Sequence, residues 1–171
     1  MAKKSSGGTP ATVVLSRAGV GFTVHPYAHS DGATNFGEEA AAALGVDRDR
    51  IFKTLVVDVG GELIVAVVPI AQQLDLKALA GAAGGKKAML AEPIAAARSS
   101  GYVVGGISPL GQRTRLRTFV DRSAEDFATI FVSAGKRGLQ VELAVGDLLR
   151  LTGGQLSSLG TRRESSPTIV N

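Results

Sequence analysis

Two periods of apolar residues outline the elements of this chain. Thr9-Pro10 sets an N-cap and an N1 proline ahead of residues 11–18, and Gly19 closes the run, so the spacing predicts a helix. Phe22-Thr23-Val24-His25 alternates with the period of a strand. Asn35-Phe36-Gly37-Glu38 has the form of a capping box, opening a helix through residues 40–44 that stops at Gly45. Residues 51–59 and 63–68 are β-branched runs joined at Gly60-Gly61, the clearest hairpin in the sequence. Beyond it the pattern predicts short helices over residues 74–80 and 93–98. It then predicts strands over residues 102–104, 118–121, 130–133 and 139–143, and a last helix over residues 146–151.

Strands outnumber helices and do not alternate strictly with them, which predicts an α+β domain around a mixed sheet rather than a doubly wound one. Residues 1–8 read as a flexible lead, residues 9–152 as a single domain, and the Gly/Ser/Thr-rich residues 153–171 as a polar tail.

Composition sharpens this picture. Aromatic residues make up 5% of the chain and Trp is absent, so the core must come from Ala, Val, Leu and Ile. The net charge of +4 favours polyanionic partners such as RNA. The absence of cysteine removes disulfides, thiolate nucleophiles and thiolate metal sites. The N-terminus has no signal-peptide form, and the longest apolar stretch, around residues 63–71, is far below the ~20 residues of a membrane span. The cytoplasm is the expected compartment, with no membrane association.

Three motifs fail on their chemistry. Gly81-Ala82-Ala83-Gly84-Gly85-Lys86-Lys87 is one residue short of a P-loop and has Lys87 where a Mg²⁺-binding hydroxyl belongs. His25 and His29 are four apart, but Pro26 forbids the helix that would bring them together on a metal. Gly106-Ile107-Ser108-Pro109-Leu110 lacks the second glycine of a nucleophile elbow, and Pro109 has no N–H for an oxyanion hole.

Four other features each carry two readings. Lys53 shares a strand face with Ile51, Leu55 and Val57, and so either snorkels to the edge or lines a cavity. Gly105-Gly106-Ile107-Ser108-Pro109 is either a tight turn or a rigid loop that offers backbone N–H groups to a ligand carbonyl. Ser133-Ala134-Gly135-Lys136-Arg137-Gly138 is either a plain hairpin connection or an anion-holding loop. Arg113, Arg115 and Arg117 alternate, giving either a solvated edge strand or a phosphate-contacting stripe.

Taken in order, Asn35-Phe36-Gly37, Phe52-Lys53-Thr54-Leu55, Gln73-Leu74-Asp75-Leu76, Gly101-Tyr102, the segment from Gly105 to Gly111 and the segment from Ser133 to Gly138 resemble one family. It is the YbaK-type deacylases of Cys-tRNA(Pro) and Cys-tRNA(Cys), and the resemblance runs over roughly residues 9–150. It implies the compact, barrel-like mixed α/β fold also found inserted in some prolyl-tRNA synthetases. It further implies trans-editing: hydrolysis of cysteine from mischarged tRNA, with prolyl-tRNA synthetase as a transient partner and no metal or organic cofactor. A relative that edits alanine or another small residue, and a non-catalytic tRNA- or synthetase-binding module, are the alternatives. By resemblance Lys53, Gly106 and Ser108 are the catalytic positions. Tyr27, Phe36, Thr54, Ile107, Pro109, Ser133, Gly135, Arg137 and Asp147 line the substrate pocket, and Arg113, Arg115 and Arg117 contact RNA. The arginine-rich 113–117 segment stands where the family is expected to carry lysine, and the resemblance assigns no match to the tail beyond residue 153.

Overall fold

The computed structural model describes residues 8–32 and 35–162. Its first element, α1 (Pro10–Ala18), begins in the box its sequence encodes: the Thr12 N–H donates to the Thr9 hydroxyl, and the Thr9 N–H donates to Thr12 Oγ1 at 2.9 Å. Then follow β1 (Phe22–Pro26), α2 (Phe36–Leu44), β2 (Phe52–Val59), β3 (Glu62–Pro69), β4 (Gln72–Leu74), α3 (Leu76–Ala83), β5 (Ala88–Leu90) and α4 (Pro93–Ser100). The second half holds β6 (Thr118–Asp121), β7 (Thr129–Lys136), β8 (Leu139–Ala144), α5 (Val145–Thr152), β9 (Gln155–Ser157) and β10 (Gly160–Arg162).

The unbroken apolar run of β3 sets the architecture. Residues 64–70 are all buried, which requires cover on both faces of the strand. Val65 and Val67 face inward with Phe52, Val120, Ile130, Val132, Val141 and Leu143. Ile64, Ala66 and Val68 face the opposite way, onto Leu79 and Ala80 of α3. Three layers result: a sheet ordered β1-β8-β7, a central sheet ordered β5-β2-β3-β6-β9, and α3. The central sheet is mixed, because β2 pairs antiparallel with both β3 and β5 while β6 runs parallel to β3 and β9. The fold is the expected α+β class.

Three expectations need correction. Residues 102–104 form no strand; Tyr102 instead closes a loop by donating to the Leu110 carbonyl at 2.6 Å. The helix expected from residue 74 begins at Leu76, because the Asp75 carboxylate caps it by accepting from the Ala78 N–H and Leu74 belongs to β4. The polar tail does not begin at residue 153, since β9 extends the central sheet and β10 pairs with β4. Residues 1–7 of the expected lead and 163–171 of the tail lie outside the described residues.

The Asp121 carboxylate pins that C-terminal segment. One oxygen accepts from the N–H groups of Leu159 and Gly160, both at 2.8 Å, and the other accepts from Ser123. Burial raises its pKa, but these hydrogen bonds outweigh burial and hold it below the ordinary carboxylate value. A group with a depressed folded pKa binds more protons in the unfolded chain. Its stabilisation is therefore complete above the unfolded pKa, about 3.9, and is lost as pH falls through the folded value. Asp121→Ala should lower the unfolding free energy at pH 7 by about 1–3 kcal/mol. Denaturant titrations should show the gap between variant and parent narrowing below about pH 4.

Candidate active site

Strand β2 loses its neighbour halfway along. β5 pairs only with Val57–Val59, and the last contact on that edge is the Ala91 N–H donating to the Val56 carbonyl at 2.9 Å. At the other end the Phe131 N–H donates to the Arg50 carbonyl, also at 2.9 Å. Carbonyls of residues 50 and 56 therefore face this edge, and by strand alternation so do the backbone groups of Phe52 and Thr54. β7 meets this edge at the Ile51–Phe131 bridge, where the Phe52 N–H is taken, so among the described residues it is the Phe52 carbonyl and the Thr54 backbone that no strand covers. A cavity of about 540 Å³ opens against this edge.

The far wall is the loop after α4, held unusually close to the β7–β8 turn. A Cβ on Gly106 would lie 2.7 Å from Lys136 Cα, so only glycine fits. Gly105 sits at φ +92° against the Phe36 ring. Arg137 ties these pieces together: its guanidinium donates twice to the Val104 carbonyl, at 2.9 and 2.6 Å, and lies 4.7 Å over the Phe36 ring. Tyr102, pushed up to about 12 by burial, remains a neutral hydroxyl donor that braces the loop from inside.

Most of the cavity lining is apolar, including Ile51, Val56, Ile70, Ala96 and Ile107. Lys53 is the one charged residue among the lining side chains described. Two lining side chains carry a buried oxygen without a hydrogen-bond partner among the described residues: Thr54 Oγ1 and Gln140 Oε1. Burial pushes the Tyr27 hydroxyl up, against hydrogen bonds from the Gly138 backbone and the Gln140 side chain. Tyr27 packs against the cluster of Ala40, Ile51, Ile70 and Phe131 and is not part of the cavity lining.

Of the positions expected from sequence, Lys53, Thr54, Phe36, Ile107 and Ser133 line the cavity. Gly106 and Arg137 shape its wall, and the Gly106 N–H is already engaged by the Val103 carbonyl at 2.9 Å, whereas Gly135 packs against Tyr102 and Thr9 outside the lining. Ser108 is fully buried, with its hydroxyl accepting from the Leu110 N–H, so it stabilises the loop and faces no cavity. Pro109 lines a separate cleft of about 250 Å³ with Arg115. Asp147 lies on α5, paired with Arg150 at 3.0 Å and away from the cavity.

The Arg113–Arg117 segment is not extended strand, so its alternation builds no single stripe. Arg113 packs beside Gly101, Arg115 beside Gly153, and Arg117 reaches Glu62 and the Ala83 carbonyl. His25 and His29 meet different glutamates, Glu142 and Glu39. Sequence reasoning missed Gln140. It sits opposite Val141 and Leu143 in the alternation of β8 and reads as a solvent-facing residue; only its register beside His25 and Ser133 reveals its burial.

The family model described as "Aminoacyl-tRNA editing domain" matches residues 29–151. The chain is 38% identical, over 94% of its length and 98% of the relative's, to the Enterococcus faecalis protein named "Putative Cys-tRNA(Pro)/Cys-tRNA(Cys) deacylase EbsC". It is 31% identical, over 88% of its length and 91% of the relative's, to the Escherichia coli K12 protein named "Multifunctional Ser/Thr-tRNA deacylase ProXp-y". Among solved structures, one described as "a putative trans-editing enzyme for prolyl tRNA synthetase" superposes with a TM-score of 0.79 at 25% identity. That likeness covers 89% of this chain and 95% of the other.

The glycine wall gives a direct prediction. Gly106→Ala must push the loop off the β7–β8 turn and should cost about 1–3 kcal/mol of stability in denaturant unfolding. Gly146→Ala, where an added Cβ meets nothing within 4 Å, should cost nothing measurable in the same assay.

Proposed function

The chain belongs to the aminoacyl-tRNA editing domain family, and from that premise we propose that it deacylates mischarged tRNA, with Cys-tRNA(Pro) as substrate and Cys-tRNA(Cys) as a second candidate. The observation that carries this reading is the combination at the β2 edge. An apolar cavity large enough for a small aminoacyl group is bordered by bare strand backbone and contains one cation, Lys53. Such a site binds an uncharged ester carbonyl beside a polyanionic leaving group: the strand edge orients the ester, and the ammonium favours the oxyanion that develops on it. The similarity to the Enterococcus faecalis protein named for cysteine deacylation supports cysteine. The similarity to the Escherichia coli Ser/Thr-tRNA deacylase favours a second reading, in which another small mischarged residue is removed.

The chain supplies no thiol of its own, and its serine in the Gly-x-Ser-Pro loop is buried away from the cavity. In the proposed route the substrate's cysteinyl thiol is the nucleophile. Its sulfur bonds to the ester carbonyl carbon, the carbon–oxygen bond to the ribose breaks, and the thiol proton passes to the departing hydroxyl. Water then opens the strained thioester to release cysteine. A thiol is a few per cent thiolate at pH 7 and intrinsically very nucleophilic, so positioning and one electrostatic donor suffice. Prolyl-tRNA synthetase is the proposed transient partner, the source of the mischarged tRNA.

Lys53→Ala should fold like the parent and lose about 10²–10³ in deacylation rate. S-methylated Cys-tRNA(Pro) should bind but resist cleavage; cleavage at the native rate would make the thiol a spectator.

A further inference from the structure

Phe36 reaches the cavity from the first turn of α2, and three separate pieces of chain hold its ring. Arg137 covers it from the β7–β8 turn, and Gly105 comes so close that a Cβ there would lie 2.7 Å from the ring. The third piece is the stretch after β1. There the His29 ring lies 5.9 Å from Phe36, tilted by 39°, in the range of favourable aromatic pairs. His29 also rests on the β7–β8 turn, where a Cβ on Gly138 would lie 3.5 Å from its own.

Residues 29 and 30 belong to no helix or strand, and Glu39 is what ties them down. Its two carboxylate oxygens divide the work: Oε1 meets His29 Nδ1 at 2.7 Å, and Oε2 accepts from the Ser30 N–H at 2.7 Å. The bond from His29, and after it the Ser30 N–H, hold the Glu39 carboxyl below its ordinary value. An ionised carboxylate only accepts, so Nδ1 carries the proton and donates. Glu39 stands three residues after Phe36 on α2, which places both side chains on one face of the helix. The pair is largely enclosed, with 19% of the His29 side chain and 14% of the Glu39 side chain exposed.

The geometry points to Glu39 and His29 as positioning residues: together they clamp the 29–30 segment onto α2 and set the Phe36 ring in the cavity wall. Neither of the two lines the cavity itself. The consequence for activity rests on the deacylase reading, because Phe36 borders the space proposed for the aminoacyl group. Loosening the clamp weakens the hold on substrate and leaves the chemical step at saturation nearly unchanged.

The Nδ1 contact supplies its own controls. In Glu39→Gln the oxygen still accepts from Ser30, and the amide donates to Nδ1 once the ring takes its other tautomer. In His29→Asn the amide nitrogen stands near the place of Nδ1 and donates to Glu39. His29→Phe keeps a ring against Phe36 and loses the donor, whereas Glu39→Ala loses both acceptors.

The full chain labelled with 4-fluorophenylalanine is followed by ¹⁹F NMR, with the Phe36 signal assigned through Phe36→Leu. Glu39→Ala and His29→Phe should shift or broaden that signal. They should also raise KM for Cys-tRNA(Pro) about tenfold, with kcat within about threefold of the parent. Glu39→Gln and His29→Asn should return both readouts towards the parent. Two disruptive variants, one on each partner, guard against one failing to fold. A parental Phe36 signal or a parental KM in both disruptive variants would overturn the inference, as would conservative variants that behave like the disruptive ones. The ¹⁹F signal is read without substrate. A parent that cleaves no Cys-tRNA(Pro) therefore refutes the deacylase reading and leaves the clamp to be judged on Phe36 alone.

Discussion

The site depends on a strand edge that the fold leaves bare. Backbone N–H and C=O groups in an apolar interior must find partners, and exposed edges are normally covered, twisted away or charged. In this chain β5 stays with β2 only as far as Val57, and the β7 backbone engages the chain just before it at Arg50. Between those contacts the Phe52 carbonyl and the Thr54 backbone face a cavity instead of a neighbouring strand. Everything else at the site borders that gap: Lys53 and Thr54 belong to β2 itself, Gln140 and Ser133 come from β8 and β7, and the loop ending in Ile107 closes the far side.

The close approach of that loop explains why sequence-distant segments act together. Gly105 and Gly106 let it lie on Phe36 and on the Lys136–Arg137 backbone, and Arg137 then binds Val104 while covering Phe36. Helix α2, the loop and the β7–β8 turn become one wall held by one guanidinium. The cation on the cavity lining is a different one, Lys53, so the group that builds the wall and the group that lines the cavity are separate residues.

Much of this was legible in the chain, for identifiable reasons. The hairpin of β2 and β3, the caps of α1 and α2, and the β7–β8 pair announce themselves through local turn and capping chemistry. The three-residue strands β4, β5, β9 and β10 do not, because each is too short to show a period and forms only against a partner distant in sequence. The resemblance located the cavity residues Lys53, Thr54, Phe36, Ile107 and Ser133, yet it also named Ser108 and Asp147. Ser108 fails because its hydroxyl closes a turn in the loop, and Asp147 because α5 carries it elsewhere. Gln140 stayed hidden for the converse reason: a polar residue alternating with the core positions of a strand reads as solvated, and its burial comes from tertiary packing that no local pattern announces.

The central claim is that this cavity recognises and cleaves a wrongly attached amino acid while sparing the right one. Release of amino acid from Cys-tRNA(Pro) and from Pro-tRNA(Pro), followed side by side under single-turnover conditions, tests it most directly. The account predicts rapid release of cysteine with proline left on its tRNA. Release of neither, or of both at similar rates, would contradict it.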